Sequence, residues 1–190
     1  MRVVEHLRAI ERVPRFLLLN FQTIMSCARH GFREKVMTKF LIITGTRDSG
    51  KTTTAGMVYK KLLPCAKNVC LTDGDGKVLT IDDPLLEDGK PKDFVAYLEV
   101  NGKKVAIVSI GDYPDYLEKQ IKIYLDKVDY FVCCLRTRDR EGSTRRMLIT
   151  NYSNYPKEEF RTVHSEDKSQ MFSIKEEIVE KIVSVIMSNK

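Results

Sequence analysis

Gly45, Gly50, Lys51 and Thr52, in the run GTRDSGKT at residues 45–52, have types and spacing that could hold an anion. Glycines five positions apart let a backbone wrap tightly, so that successive N–H groups converge on one phosphate. The run after the loop, TTTAGMVYKKL, reads as a helix. Its first turn would aim unpaired N–H groups and a positive dipole end at the same place. Lys51 supplies a flexible point charge for outer phosphate oxygens. Thr52 supplies a small neutral oxygen donor of the kind magnesium takes. The chemistry implied is capture of a magnesium-bound polyphosphate.

With the buried strand FLIIT before it and the helix after it, this motif resembles the phosphate-binding loop of the P-loop NTPase superfamily. The resemblance covers roughly residues 38–186. It implies an α/β fold, a three-layer sandwich with a mostly parallel central sheet and one antiparallel edge hairpin strand. It also implies a nucleoside triphosphate with Mg2+, contacted by Gly45, Thr46, Arg47, Asp48, Ser49, Gly50, Lys51, Thr52 and Thr53. The SGKTT form is similar to adaptor GTPases of molybdenum-cofactor assembly and to many bacterial ATP-binding proteins. The variant of partition-type ATPases would need lysine where Thr46 stands.

Such sites usually place an acid at the end of a neighbouring buried strand to hold a magnesium-bound water. The strand VAIVSI ends with Ser109 where that acid would be expected, and Asp112 follows three residues on. Asp112 is therefore the expected metal-side or water-positioning carboxylate, with Ser109 as a possible helper; a helix cap near Pro114 is its structural alternative. Arg136, Arg138, Arg140, Arg145 and Arg146 crowd in just after DYFVCCL. Active sites of parallel sheets lie at the carboxyl ends of strands. Arg136 and Arg138 are thus the candidates for an arginine lid that neutralises a transferring phosphoryl group, as in P-loop kinases; a solvated basic loop is the alternative. Asp73-Gly74-Asp75-Gly76 reads either as a plain turn or as the substrate end of a strand in shikimate-type kinases. Guanine readers carry N/T-K-x-D after the strand that here ends at Leu135, and Arg140 occupies the place of the required Asp. ATP is therefore expected over GTP. The reaction is phosphoryl transfer or hydrolysis, with an unknown small-molecule or protein acceptor; the alternative is a nucleotide-dependent switch or adaptor with slow hydrolysis.

The elements that must carry these residues follow from hydropathy. Strands are expected at 40–43, 68–71, 78–81, 94–100, 105–110, 130–135 and 160–163. Helices are expected at 50–63, 114–128 and 143–152, and a terminal one capped by Ser173 and Glu176 with Ile174, Ile178, Ile182 and Ile186 in one stripe. Asn101-Gly102 predicts a type I′ hairpin. The first arm of that hairpin alternates with more polar residues, which predicts a place at the sheet edge.

The 190 residues suffice for one α/β domain. Five cysteines without a C-x-x-C or a His/Cys cluster argue against a disulfide framework or zinc, and Cys133 and Cys134 read as buried strand residues. A reducing, cytoplasmic compartment is expected. No apolar run approaches the ~18 residues needed to span a bilayer, so no membrane partner is expected. The net charge of +6 is uneven: residues 1–36 carry +4 and residues 37–190 only +2. That distribution, with no RNA- or DNA-binding motif, makes nucleic acid an unlikely partner. The Arg-rich leader, residues 1–36, reads as a docked arm, a targeting sequence or translation from a start upstream of Met37. The third reading is preferred, which leaves residues 37–190 as the nucleotide-binding domain.

Overall fold

The computed structural model describes residues 37–80, 86–87 and 90–188. The leader at 1–36 and most of the 81–89 segment lie outside the described residues. The chain forms an α/β structure around a six-stranded sheet. Strands β1 (Lys39–Gly45), β2 (Ala66–Asp73), β5 (Phe94–Val100), β6 (Lys103–Val108), β7 (Tyr130–Arg136) and β8 (Lys157–Arg161) lie in the order β2-β5-β6-β7-β1-β8. Two very short strands, β3 (Leu86–Glu87) and β4 (Lys90–Pro91), pair with each other. Helices α1 (Lys51–Leu62), α2 (Pro114–Tyr124), α3 (Thr144–Asn151) and α4 (Lys168–Met187), with a short 3-10 turn at Leu63–Cys65, complete the described elements.

β1 is apolar at Phe40, Leu41, Ile42 and Ile43 because it has covered faces and two parallel neighbours, β7 and β8. Alternate residues go to opposite layers. Leu41, Ile43, Leu98, Ile107 and Val132 join a core with Ala55 and Val58 of α1 and Ile178, Val179, Ile182 and Ile186 of α4. On the other face Phe40 packs against Phe131 and Tyr152, and Tyr97 stacks on Tyr124 of α2. Helices thus cover both faces, an arrangement that fits a three-layer sandwich. Cys133 and Cys134 are buried in β7, as their apolar surroundings predict.

The sheet departs from expectation in two places that matter for the site. β5 does not lie at an edge. It pairs antiparallel with β2 on one side and β6 on the other, and all but one of its residues are buried. Its supposed solvent face is covered by α2, where Tyr97 meets Tyr124. The edges are β2 and β8. Since β6, β7, β1 and β8 run parallel, β5 alone is reversed in the six-stranded sheet, and its first residues sit at the carboxyl ends of its neighbours. Secondly, the strand that ends near Ser109 is not adjacent to β1: β7 lies between them.

Smaller corrections have local causes. The last helix begins at Lys168, ahead of Ser173, because the Asp167 carboxylate accepts from the N–H groups of Ser169 and Gln170. The last strand is Lys157–Arg161 in place of 160–163. Val78 forms only an isolated bridge with Thr72. The hairpin turn is as predicted: Asn101 and Gly102 have φ of 49° and 74°, the two positive values a type I′ turn requires.

Candidate functional site

Residues 45–52 link the end of β1 to the start of α1. Two of them take left-handed backbone conformations, Asp48 with φ 59° and Gly50 with φ 83°, and Gly50 is the N-cap of α1. No side chain caps that helix and no acid stands in its first turn, so its leading N–H groups face the adjoining cavity without a side-chain acceptor. The loop is pinned from beneath. Ser49 is fully buried, with its hydroxyl 3.0 Å from the Thr46 carbonyl and 2.8 Å from the Thr162 hydroxyl. Thr162 donates in turn to the Thr44 carbonyl at 3.0 Å. A methyl at Gly45 would lie 2.2 Å from both hydroxyl oxygens, which is why glycine stands there. Ser49 therefore contributes to the loop through its backbone and anchors it by its side chain. Thr162→Val keeps the shape and deletes these bonds; it should cost about 1–3 kcal/mol of stability, read as a lower urea midpoint at unchanged slope.

Above the loop lies a cavity of about 680 Å³, a size common for ligand sites. Arg47, Asp48, Gly50, Lys51, Thr52 and Thr53 all border it. Arg47 and Asp48 form the exposed tip. The Lys51 ammonium is folded onto the loop and donates to the Thr46 carbonyl at 2.6 Å. Burial lowers its pKa, partly opposed by acidic neighbours that include Asp112.

Thr52 does not meet Asp112. Its hydroxyl donates to Asp93, 3.3 Å away. Asp93 precedes the reversed strand β5, so it lies at the carboxyl-end side of the sheet, opposite the end of β6. Ser109, which is buried, accepts from the Phe94 N–H at 2.8 Å and donates to the same Asp93 oxygen at 3.2 Å. Ser109 thus orients Asp93. Among the described residues no group of three His, Cys, Asp or Glu side chains gathers. The donor set here is instead a threonine hydroxyl and a carboxylate, hard oxygens that suit magnesium together with ligand oxygens and water.

Asp112 reaches the same cavity and is held there by Arg136. The Arg136 Nε donates to one carboxylate oxygen at 2.6 Å and a terminal nitrogen donates to the other, a bidentate pair. This pairing raises the Arg136 pKa, through the hydrogen bond first. Helix capping by Asp112 is excluded, since the N-cap of α2 is Tyr113. Gly111 makes the pair possible: a Cβ there would fall 1.3 Å from the Cys134 carbonyl oxygen, so only glycine lets this segment run against the end of β7. Arg138 does not border the main cavity. It lines a smaller one of about 220 Å³ with Arg140, Ser143 and Arg145, and the two cavities share Gly111, Asp112, Tyr113 and Arg136. Arg145 is paired with Glu159 at 2.8 Å. The Asp73 carboxylate is used on its own turn, accepting from the N–H groups of Asp75 and Lys77.

Two charged residues of the main cavity, Asp93 and Lys175, escaped the sequence reading. Asp93 had a usable signal, because an acid just before the reversed arm of a hairpin must lie near the residue that ends the other arm. Lys175 had a weaker one. It precedes Ile178 by three and Val179 by four, which puts it on the buried face of α4, and it borders the cavity beside Gly50.

Among the described residues no helix is long and apolar enough to cross a membrane. No protein-family model, no curated protein and no solved structure matches the chain.

Proposed function

We propose that the chain is a P-loop nucleotide-binding protein that takes a magnesium–nucleoside triphosphate, ATP in preference to GTP, and transfers or hydrolyses its terminal phosphoryl group. The observation that supports this best is the junction at Gly50: a left-handed glycine opens an uncapped helix beneath a polar cavity, with Lys51 and Thr52 in its first turn. In this reading the loop amides and the dipole end of α1 receive the phosphates. The Lys51 ammonium leaves the Thr46 carbonyl for phosphate oxygens, a stronger, charge-assisted bond. Thr52 and Asp93 would hold the magnesium ion, Asp93 directly or through a water, and the ion would supply charge neutralisation between phosphate groups. Asp112 holds Arg136 at the border of the cavity, and its guanidinium would face charge that develops on the transferring group. The second cavity, with Arg138, would receive the acceptor, since it shares Asp112 and Arg136 with the first.

One observation keeps the switch reading in play. Arg136 is bound at two nitrogens by Asp112, so it is not free in this conformation to neutralise charge, as slow hydrolysis would have it. Turnover separates the readings. Rapid ATP consumption, alone or on addition of an acceptor, supports the enzyme; tight binding with negligible turnover supports the switch. The binding claim is tested by thermal shift with ATP, GTP and ADP, each with and without magnesium. A ligand that binds only the folded state raises its stability by mass action. The largest shift should come from ATP with magnesium, and equal melting temperatures in every condition would contradict the proposal.

A further inference from the structure

Lys175 lies on the second turn of α4 and is only 7% exposed. Its side chain packs directly over the loop: a methyl at Gly50 would lie 2.3 Å from Cε and 2.6 Å from Nζ. It borders the 680 Å³ cavity with Met171, one turn earlier on the same helix. Three other partly buried lysines among the described residues have acceptors. Lys39 pairs with Glu158 at 2.7 Å, Lys103 donates to the Ile186 carbonyl, and Lys157 donates to the Tyr155 carbonyl. Lys175 is more buried than these, and among the described residues no carboxylate or carbonyl pairs with it.

The body of Lys175 is buried while its ammonium keeps contact with the open cavity, and the location is unfavourable for a cation. Gly50 begins α1, so Lys175 sits beside the positive end of a helix, where cations are repelled. Lys51 borders the same cavity, so two ammonium groups and a helix N-terminus converge there; Asp48, Asp93 and Asp112 border it too, but among the described residues none of them pairs with Lys175. Burial lowers the pKa of Lys175 as it does that of Lys51.

We propose that Lys175 is a second phosphate-binding lysine, delivered by the carboxy-terminal helix, which contacts the polyphosphate of the nucleotide beside Gly50. The inference rests on the nucleotide-binding reading of this site. Ligand occupancy then satisfies a charge that is unpaired in the free protein, and it ties α4 to α1 through the bound phosphates.

The test uses the full chain with Lys175→Met, which keeps the length and apolar body of the side chain and deletes the charge. Lys175→Gln serves as a second variant if the first fails to fold, and Lys51→Ala is the control. Affinities for ATP and ADP with magnesium are measured by calorimetry, and melting temperatures with and without ATP. The expected result has opposite signs in the two readouts. The free variant melts at or above the wild-type temperature, because a cation beside a helix N-terminus is gone, while ATP and ADP bind about ten- to a hundredfold more weakly, the loss of one charge-assisted contact. Lys175→Arg should restore part of the affinity. Unchanged ATP affinity in the Lys175 variant, with affinity lost in Lys51→Ala, overturns this inference and leaves the site reading intact. A free variant that melts well below wild type and loses affinity in proportion makes Lys175 a structural residue and also overturns it. If wild type itself binds neither ATP nor ADP, both readings fall together.

Discussion

Asp93→Asn should abolish the magnesium dependence of nucleotide binding and lower turnover by at least about a hundredfold, the scale seen when one preorganised charge-stabilising group is lost. The substitution is nearly isosteric, and the amide oxygen can still accept from Thr52, which now lies 3.3 Å from the carboxylate. Ser109 can likewise keep its bond, so the fold should be little affected. What changes is charge. A carboxylate close to a polyphosphate is repulsive unless a cation lies between them, whereas a carboxamide is a poor magnesium ligand. Two results of opposite sign should follow. In EDTA the variant should bind ATP as tightly as wild type or more tightly, because a negative charge has been removed. With magnesium present the wild type should gain affinity and the variant should not. The check is a titration with ATP at several magnesium concentrations. Identical magnesium curves for the two proteins would remove Asp93 from the metal site and return Asp112 as the candidate.

Gly50→Ala should damage binding more than folding. At φ 83° and ψ 23° the position is left-handed, and alanine there costs about 1–2 kcal/mol. The new methyl also meets Lys175 Cε at 2.3 Å, but that neighbour is the far end of a flexible side chain and can swing away. The stability loss should therefore stay near the backbone penalty. Binding has no such escape, since relieving the left-handed strain means rotating the peptide that opens α1. The N–H groups of Lys51 and Thr52 then turn from the cavity, and Lys175 is displaced with them. Triphosphate affinity should fall by at least about a hundredfold, or roughly 3 kcal/mol. Urea unfolding and ATP titration on the same preparation separate the two effects. A variant that keeps near wild-type affinity would mean that the loop amides do not receive the ligand.

How much of this was legible beforehand depended on whether the signal was local. The strand, tight turn and helix over residues 39–62 were visible, because an apolar run, two glycines and a helical run lie next to one another in the chain. The strands β1, β6 and β7 were visible because burial on both faces leaves a continuous apolar run. The placement of β5 was not. Val95 and Tyr97 look like the second face of an edge strand, and only the tertiary contact of Tyr97 with Tyr124 shows that this face is covered. The pairing partner, β2, carries Lys67, Asn68 and Thr72 and gives no sign of which strand it will join. The metal-side acid was sought after Ser109 on the assumption that the end of that strand lies next to β1. With β7 between them, Asp112 meets Arg136, and the carboxylate nearest Thr52 comes from the far side of the hairpin. Arg138 looked as close to the site as Arg136 along the chain, yet the turn after β7 carries it to the second cavity. Lys175 is hidden for another reason: a lysine on a helix is normally a solvated residue, and only burial against Gly50 distinguishes it.

The account stands or falls with the ammonium that opens α1. Isothermal titration of Mg-ATP into wild type and into Lys51→Ala, with the fold of each checked by circular dichroism, addresses it most directly. Wild type should give a saturable isotherm with one site per chain, and the folded variant should lose at least about a hundredfold in affinity. Superimposable isotherms, or no heat of binding to wild type at any concentration tried, would contradict the claim that residues 45–52 hold a polyphosphate.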